Sequence, residues 1–125
     1  IRHCLAPVLS LPAVGQGALG LECRADDMEL LKIIQPLQHD ETSICVRAER
    51  AFNAYLEGGC QVPIAGYATL ANDQLSIEGR VGSVDGKTLL KQRLIGTSED
   101  AEQLGEQLAQ CLLEQGAGEL LKALY

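Results

Sequence analysis

Apolar residues recur at helical spacing in three parts of the chain. The strongest pattern predicts a helix over residues 41–56, with Asp40 or Thr42 as its N-cap. Its expected buried stripe consists of Ile44, Ala48, Ala51, Phe52 and Tyr55. A shorter helix is predicted over residues 26–36, from Asp26 to the helix-ending Pro36, and a third over residues 97–116. These helices frame a central region with a different period.

The central region alternates between apolar and polar residues, which predicts strands over residues 62–70, 75–81 and 87–95. A turn is predicted at residues 71–73, and Asp85-Gly86 is a two-residue hairpin signal. The predicted fold class is therefore α+β: a three-stranded antiparallel sheet with helices packed on one face. On the outer surfaces we expect charged side chains, of which the basic ones on the third strand form the nearest thing to a basic patch. These charged residues are Arg47, Glu49 and Arg50 on the helix and Lys87, Lys91 and Arg93 on the strand.

Residues 15–20, Gly-Gln-Gly-Ala-Leu-Gly, match a G-x-G-x-x-G string. That string binds dinucleotides when a strand precedes it and a helix opens on it. Pro12 interrupts the approach, and residues 18–24 alternate like a strand. The alternatives are a dinucleotide loop and a glycine-rich turn that enters a strand.

The composition of the chain excludes several classes of binding partner and site. The chain has 125 residues and a formal net charge of −7, which argues against nucleic acid or an anionic membrane surface as a partner. No apolar run has the length of a membrane span, and no signal peptide is recognisable. Five cysteines at irregular spacing do not form a disulfide framework, and no Cys/His pairing suggests a metal site. Packing residues of a reduced, cytoplasmic protein are expected at Cys4, Cys23, Cys45 and Cys111.

Cys60 stands apart because it follows Gly58-Gly59 and precedes Pro63, where the helical pattern changes to the β pattern. Glycine relieves the left-handed strain that follows a helix end, so we expect an exposed sulfur on an open turn. Buried cysteines commonly act as small hydrophobes, which is the alternative. A helix C-terminus disfavours a thiolate, so reactivity would need another source.

Two long motifs carry a resemblance to a known family. Residues 56–68, LEGGCQVPIAGYA, and residues 11–24, LPAVGQGALGLECR, resemble signatures of porphobilinogen deaminase, also called hydroxymethylbilane synthase. Two shorter blocks, at residues 39–42 and 48–51, fit between them in the right order. The resemblance covers nearly the whole chain.

The resemblance implies an enzyme that joins four porphobilinogen units into hydroxymethylbilane on a dipyrromethane cofactor. Cys60 would hold that cofactor through a thioether, and Gly59, Gln16 and Gly17 would lie close to it. The catalytic carboxylate and the basic cleft have no matching positions, so no catalytic residue is assigned. We expect residues 1–38 to be a strand-helix remnant of upstream domains and residues 39–125 to be the cofactor-attachment domain.

The resemblance further implies that the chain is the C-terminal portion of a longer cytoplasmic enzyme and is inactive alone. Its partners would be porphobilinogen and pyrrole oligomers. Residues 18–24 would lack their native sheet, which predicts a homodimer through residues 1–37. The residues themselves leave two other functions open: a non-catalytic interaction or regulatory module, and a redox-sensing domain that uses Cys60.

Overall fold

A three-stranded antiparallel sheet packs against a pair of helices. Its strands lie in the spatial order β1 (Ile64–Ala71), β2 (Gln74–Gly82) and β3 (Leu89–Thr97). The helices are α1 (Met28–Ile34), α2 (Asp40–Tyr55), α3 (Ala101–Glu114) and α4 (Ala117–Lys122), with a 3-10 turn at Gln35–Leu37. These bounds come from a computed structural model, which describes residues 2–58 and 62–122. The predicted α+β class is confirmed.

The two turns of the sheet differ from each other. Asn72 and Asp73 have φ values of 50° and 61°, which is the type I′ geometry of a two-residue hairpin. A hairpin does join β2 and β3 around Asp85-Gly86, but the predicted two-residue loop is wrong, because Gly82 pairs with Leu89 and residues 83–88 form a wider loop. The Ser83 hydroxyl donates to Asp85 Oδ1 over 2.6 Å and accepts from the Thr88 amide over 2.9 Å. These side-chain bonds stabilise the longer connection.

The helix starts differ slightly from the sequence prediction. The carboxylate of Asp27, not Asp26, caps α1 by accepting from the Leu30 amide over 3.1 Å. His39 caps α2 in place of Asp40 or Thr42, because its Nδ1 accepts from the Thr42 amide over 3.3 Å. Histidine is outside the usual set of N-cap residues, so the sequence pattern pointed to its neighbours.

The core lies between the helix pair and one face of the sheet. Its largest fully buried side chains are Phe52, Leu75, Ile77, Leu108, Leu112 and Val81. Helices α2 and α3 approach closely at Gly105, where a Cβ would lie 2.9 Å from the Phe52 nitrogen and closer still to the Ala48 carbonyl. Tyr55 was predicted to be buried, but it is 42% exposed and its hydroxyl accepts from Gln110 Nε2 over 2.9 Å.

Residues 2–38, which we call the arm, remain largely outside this core. The strand predicted over residues 18–24 does not form, and α1 has no buried residue. A strand requires a backbone partner, yet the amides of residues 19–23 donate to no oxygen in the described part of the chain. No helix within residues 2–58 and 62–122 is long and apolar enough to cross a membrane.

Candidate functional site

The candidate site is the connection between α2 and β1. Gly59 and Cys60 lie outside the described residues, so the predicted exposure of the Cys60 sulfur stays a prediction. The chain on both sides of them is described. Its geometry shows how the fold holds the two ends of the connection.

A Schellman motif ends α2 before the connection. The Gly58 amide donates to the Asn53 carbonyl over 2.9 Å, and the Glu57 amide donates to the Ala54 carbonyl over 3.0 Å. The left-handed residue of the motif is Glu57, with a φ of 54°, and the expectation that glycine would occupy that conformation is wrong. Gly58 is suited to its place for a different reason: a Cβ there would lie 2.8 Å from Cγ of Asn53.

The far end of the connection is also tied to the sheet. The Ile64 amide donates to the Val62 carbonyl over 2.8 Å, and the Pro63 carbonyl accepts from the Gly82 amide over 2.9 Å. Proline restricts φ as well, so the entry to β1 is constrained by both covalent geometry and hydrogen bonds. The connection is therefore secured at the helix end and at the strand end.

The glycine-rich turn of the arm packs beside this domain. Gly15 and Gly17 have φ values of 68° and 89°, which glycine adopts without the strain that a Cβ causes. Gln16 Oε1 accepts from the Ala13 amide over 2.9 Å and closes the turn. The turn borders a recess of about 360 Å³ that His39 also lines. In the described part of the arm, no strand precedes the turn and no helix opens on it, so the dinucleotide alternative does not fit.

Glu49 joins the glycine-rich turn to the domain. It is 5% exposed, and its Oε2 accepts from the Gly15 amide over 2.7 Å. Its Oε1 accepts from the Ala68 amide over 2.8 Å. Within residues 2–58 and 62–122, β1 has a strand partner on one side only, so this carboxylate satisfies an amide at the free edge of the sheet. A single side chain thus connects the arm, α2 and β1.

The expectation that Glu49 lies on a solvated or ion-paired face is wrong. Its neighbour Arg47 does behave as expected, because it pairs with Glu102 over 2.8 Å at the surface. Glu49 lies four residues after Cys45 and three before Phe52, within the buried stripe. The helical spacing therefore indicated a buried position for Glu49. Its charge indicated an exposed one, because charged residues are rarely buried.

The four described cysteines differ in their surroundings. Burial raises the pKa of the Cys45 thiol, and the carboxylates of Glu49 and Glu41 raise it further. Cys23 and Cys111 are partly buried, whereas Cys4 is exposed and is not the packing residue that was predicted. Within the described ranges, no three His, Cys, Asp or Glu side chains come together as a metal site.

Comparison with protein-family models places these elements in a known context. The model described as "Porphobilinogen deaminase, C-terminal domain" matches residues 43–114, which is more than half of the chain. The match runs from the first turn of α2 to the end of α3 and includes all three strands. It also includes the connection that contains Cys60.

Proposed function

Since the chain belongs to the porphobilinogen deaminase family, we propose that it is the cofactor-carrying part of a hydroxymethylbilane synthase. That enzyme joins four porphobilinogen units head to tail and releases ammonia. The observation that carries the proposal is the family match across residues 43–114, in which Cys60 occupies the connection between α2 and β1.

Cys60 is the proposed anchor of a dipyrromethane cofactor. When bound, this group supplies the end on which the pyrrole chain grows. A thiolate suits the attachment because it is a strong nucleophile for an electrophilic methylene carbon. The C–N bond of the porphobilinogen aminomethyl group breaks, the nitrogen takes up the thiol proton and leaves as ammonia, and the sulfur forms a C–S bond with the methylene carbon. The chemistry of the cysteines supports this choice, because the raised pKa of Cys45 disfavours that sulfur as a nucleophile.

Gly59, Gln16 and Gly17 are proposed to lie close to the cofactor. For the turn, the support is its attachment to the domain through the Glu49 carboxylate. Both glycines of the turn have open space where a Cβ would be, so a ligand can approach their backbone closely. In this proposal Glu49 is a positioning residue, because it holds the turn and does not itself touch the reacting atoms.

The arm and the attachment domain are proposed to belong to different parts of the parent enzyme. We propose that residues 1–38 belong with upstream domains of the parent enzyme and that residues 39–125 form the attachment domain. The contrast in burial supports this division: the buried core residues run from Ala48 to Ala117, whereas α1 contributes none. Free thiols at the four described cysteines are compatible with the proposed cytoplasmic location.

The 125-residue chain alone is expected to show no deaminase activity. The reason is that no residue of the chain is assigned as the catalytic carboxylate, and the basic active-site cleft that the resemblance implies has no matching positions in it. Consumption of porphobilinogen by the purified chain is the measurement, with the parent enzyme assayed alongside as the positive control. Turnover by the chain alone, in a preparation free of the parent enzyme, would contradict the prediction.

The arm is expected to drive self-association when its own sheet partner is absent. Leu19 is 99% exposed and Leu21 is 61% exposed, and the backbone between them is unpaired within the described residues. Pairing between two copies would satisfy both the amides and the apolar side chains. We expect light scattering at micromolar concentration to show a dimer.

Two matched variants distinguish association through this interface from nonspecific self-association. Leu21→Asp should shift the chain to a monomer, because it places a charge in the proposed interface. Val84→Asp should leave the dimer intact, because Val84 is 71% exposed in the β2–β3 loop, outside the arm. A monomeric wild-type chain would count against the dimer.

A further inference from the structure

The sheet face opposite the helices carries a concentration of basic side chains. Arg80 on β2 lies directly opposite Lys91 on β3, and Glu78 lies opposite Arg93 in the same register. Like charges placed directly opposite each other destabilise an antiparallel pair. Despite this repulsion, Arg80, Lys91 and Arg93 lie together on one small surface. They are three of the ten basic residues of an acidic chain.

Glu78 compensates only part of this positive charge. Its Oε1 accepts from Arg80 Nε over 2.8 Å and lies 2.7 Å from Arg80 Nη2 in the same ion pair. Arg93 donates through Nε to the neutral Ser76 hydroxyl over 2.7 Å. Neither Lys91 nor Arg93 has a carboxylate partner within the described residues. The surface therefore keeps donors and positive charge for an external anion.

A groove of about 560 Å³ runs over these side chains. Pro7, Val8 and Leu11 of the arm form one wall, and Tyr67 of β1 adds an aromatic ring. Arg80 Nη2 donates to the carbonyl oxygens of Pro7 and Val8 over 3.0 and 3.3 Å, which ties that wall to the sheet. The Arg80 side chain is 12% exposed, so its guanidinium is held in place.

We propose that this groove, the sheet-face groove, binds a small dicarboxylate or polycarboxylate that has an apolar or aromatic body. Lys91 and Arg93 would receive its carboxylates, while Tyr67 and the arm would contact its body. Identifying the ligand as a carboxylated pyrrole rests on the proposed function. Arg80 pairs with Ala65 at the beginning of β1, so the groove is near the strand end that follows Cys60 in the sequence.

The test uses the 125-residue chain, isotopically labelled, and porphobilinogen as the probe. Titration should shift the amide resonances of residues 76–80 and 91–93. Unsubstituted pyrrole, which has the ring without carboxylates, should not shift them. The Lys91→Gln/Arg93→Gln variant should bind about tenfold more weakly or worse, because charge-assisted bonds to both carboxylates are lost.

Lys87→Gln/Arg24→Gln is the matched control, since it removes one exposed lysine and one exposed arginine elsewhere. This control should bind as the wild type does. Equally weakened binding of porphobilinogen in both variants would refute the groove as the binding site and indicate nonspecific electrostatic attraction. Shifts that map to another surface would refute it as well. If the Lys91→Gln/Arg93→Gln variant does not fold, Lys91→Gln alone takes its place in the titration. This single substitution also removes the repulsion between Lys91 and Arg80.

The groove and the cofactor anchor can fail separately. In a Cys60→Ser chain the shifts around residues 76–80 and 91–93 should persist, because the proposed carboxylate ligands Lys91 and Arg93 are unchanged in it. A covalent adduct on wild-type Cys60 without any shift at the groove would overturn the groove alone. Shifts at the groove, together with a parent enzyme that carries no adduct on Cys60, would uphold the groove and refute the anchor.

Discussion

Replacing Cys60 by alanine in the parent enzyme is expected to abolish covalent cofactor attachment and, with it, all synthesis of hydroxymethylbilane. Alanine removes the sulfur atom that is proposed to form the C–S bond, and none of the four described cysteines belongs to the α2–β1 connection. Cys60→Ser should retain little attachment, because a hydroxyl is a far weaker nucleophile than a thiolate at neutral pH.

Intact mass is the direct measurement for this prediction. The wild-type enzyme should exceed its sequence mass by a two-pyrrole adduct, and Cys60→Ala should not. Cys4→Ala is the matched control, because Cys4 is the exposed cysteine among those described, and its removal should leave the adduct in place. A Cys60→Ala enzyme that keeps the adduct and its reaction with an acidic aromatic aldehyde would refute the anchor.

Replacing Glu49 by alanine is expected to lower the free energy of unfolding by about 2 kcal/mol or more. The carboxylate is the acceptor for the Gly15 and Ala68 amides, and both would be left without it. The space vacated by the side chain adds a packing loss. Such a loss is a large fraction of the total stability of a small domain.

Two further variants sharpen this test. Glu49→Gln should cost less than alanine, because one amide oxygen can still accept while the NH2 group faces the second donor. Glu106→Gln, which neutralises an exposed carboxylate on α3, should leave stability nearly unchanged. Urea unfolding gives the free energies, and hydrogen exchange at Gly15 and Ala68 locates the loss. Wild-type stability with unchanged protection of both amides would contradict the role of Glu49.

The pattern of residue types was sufficient for the elements that depend on local chemistry. The 3.6-residue spacing around Ala48 and Phe52 predicted α2, and the alternation from Leu75 to Val81 predicted β2. Asn72-Asp73 marked a turn because these residues tolerate the positive φ values that the hairpin requires. For the site, the two motifs singled out Cys60, Gly59, Gln16 and Gly17, of which the structure describes the last two.

Other features depended on contacts between residues far apart in the chain. The burial of Glu49 depends on amides 34 and 19 residues away, so no local pattern could reveal its partners. The strand predicted over residues 18–24 failed because extended backbone is stable only beside a partner. The groove arises from the register between β2 and β3, which places Arg80 against Lys91. Residue types determine local conformation. Strand pairing and burial determine which polar groups contact each other, and both depend on the tertiary structure.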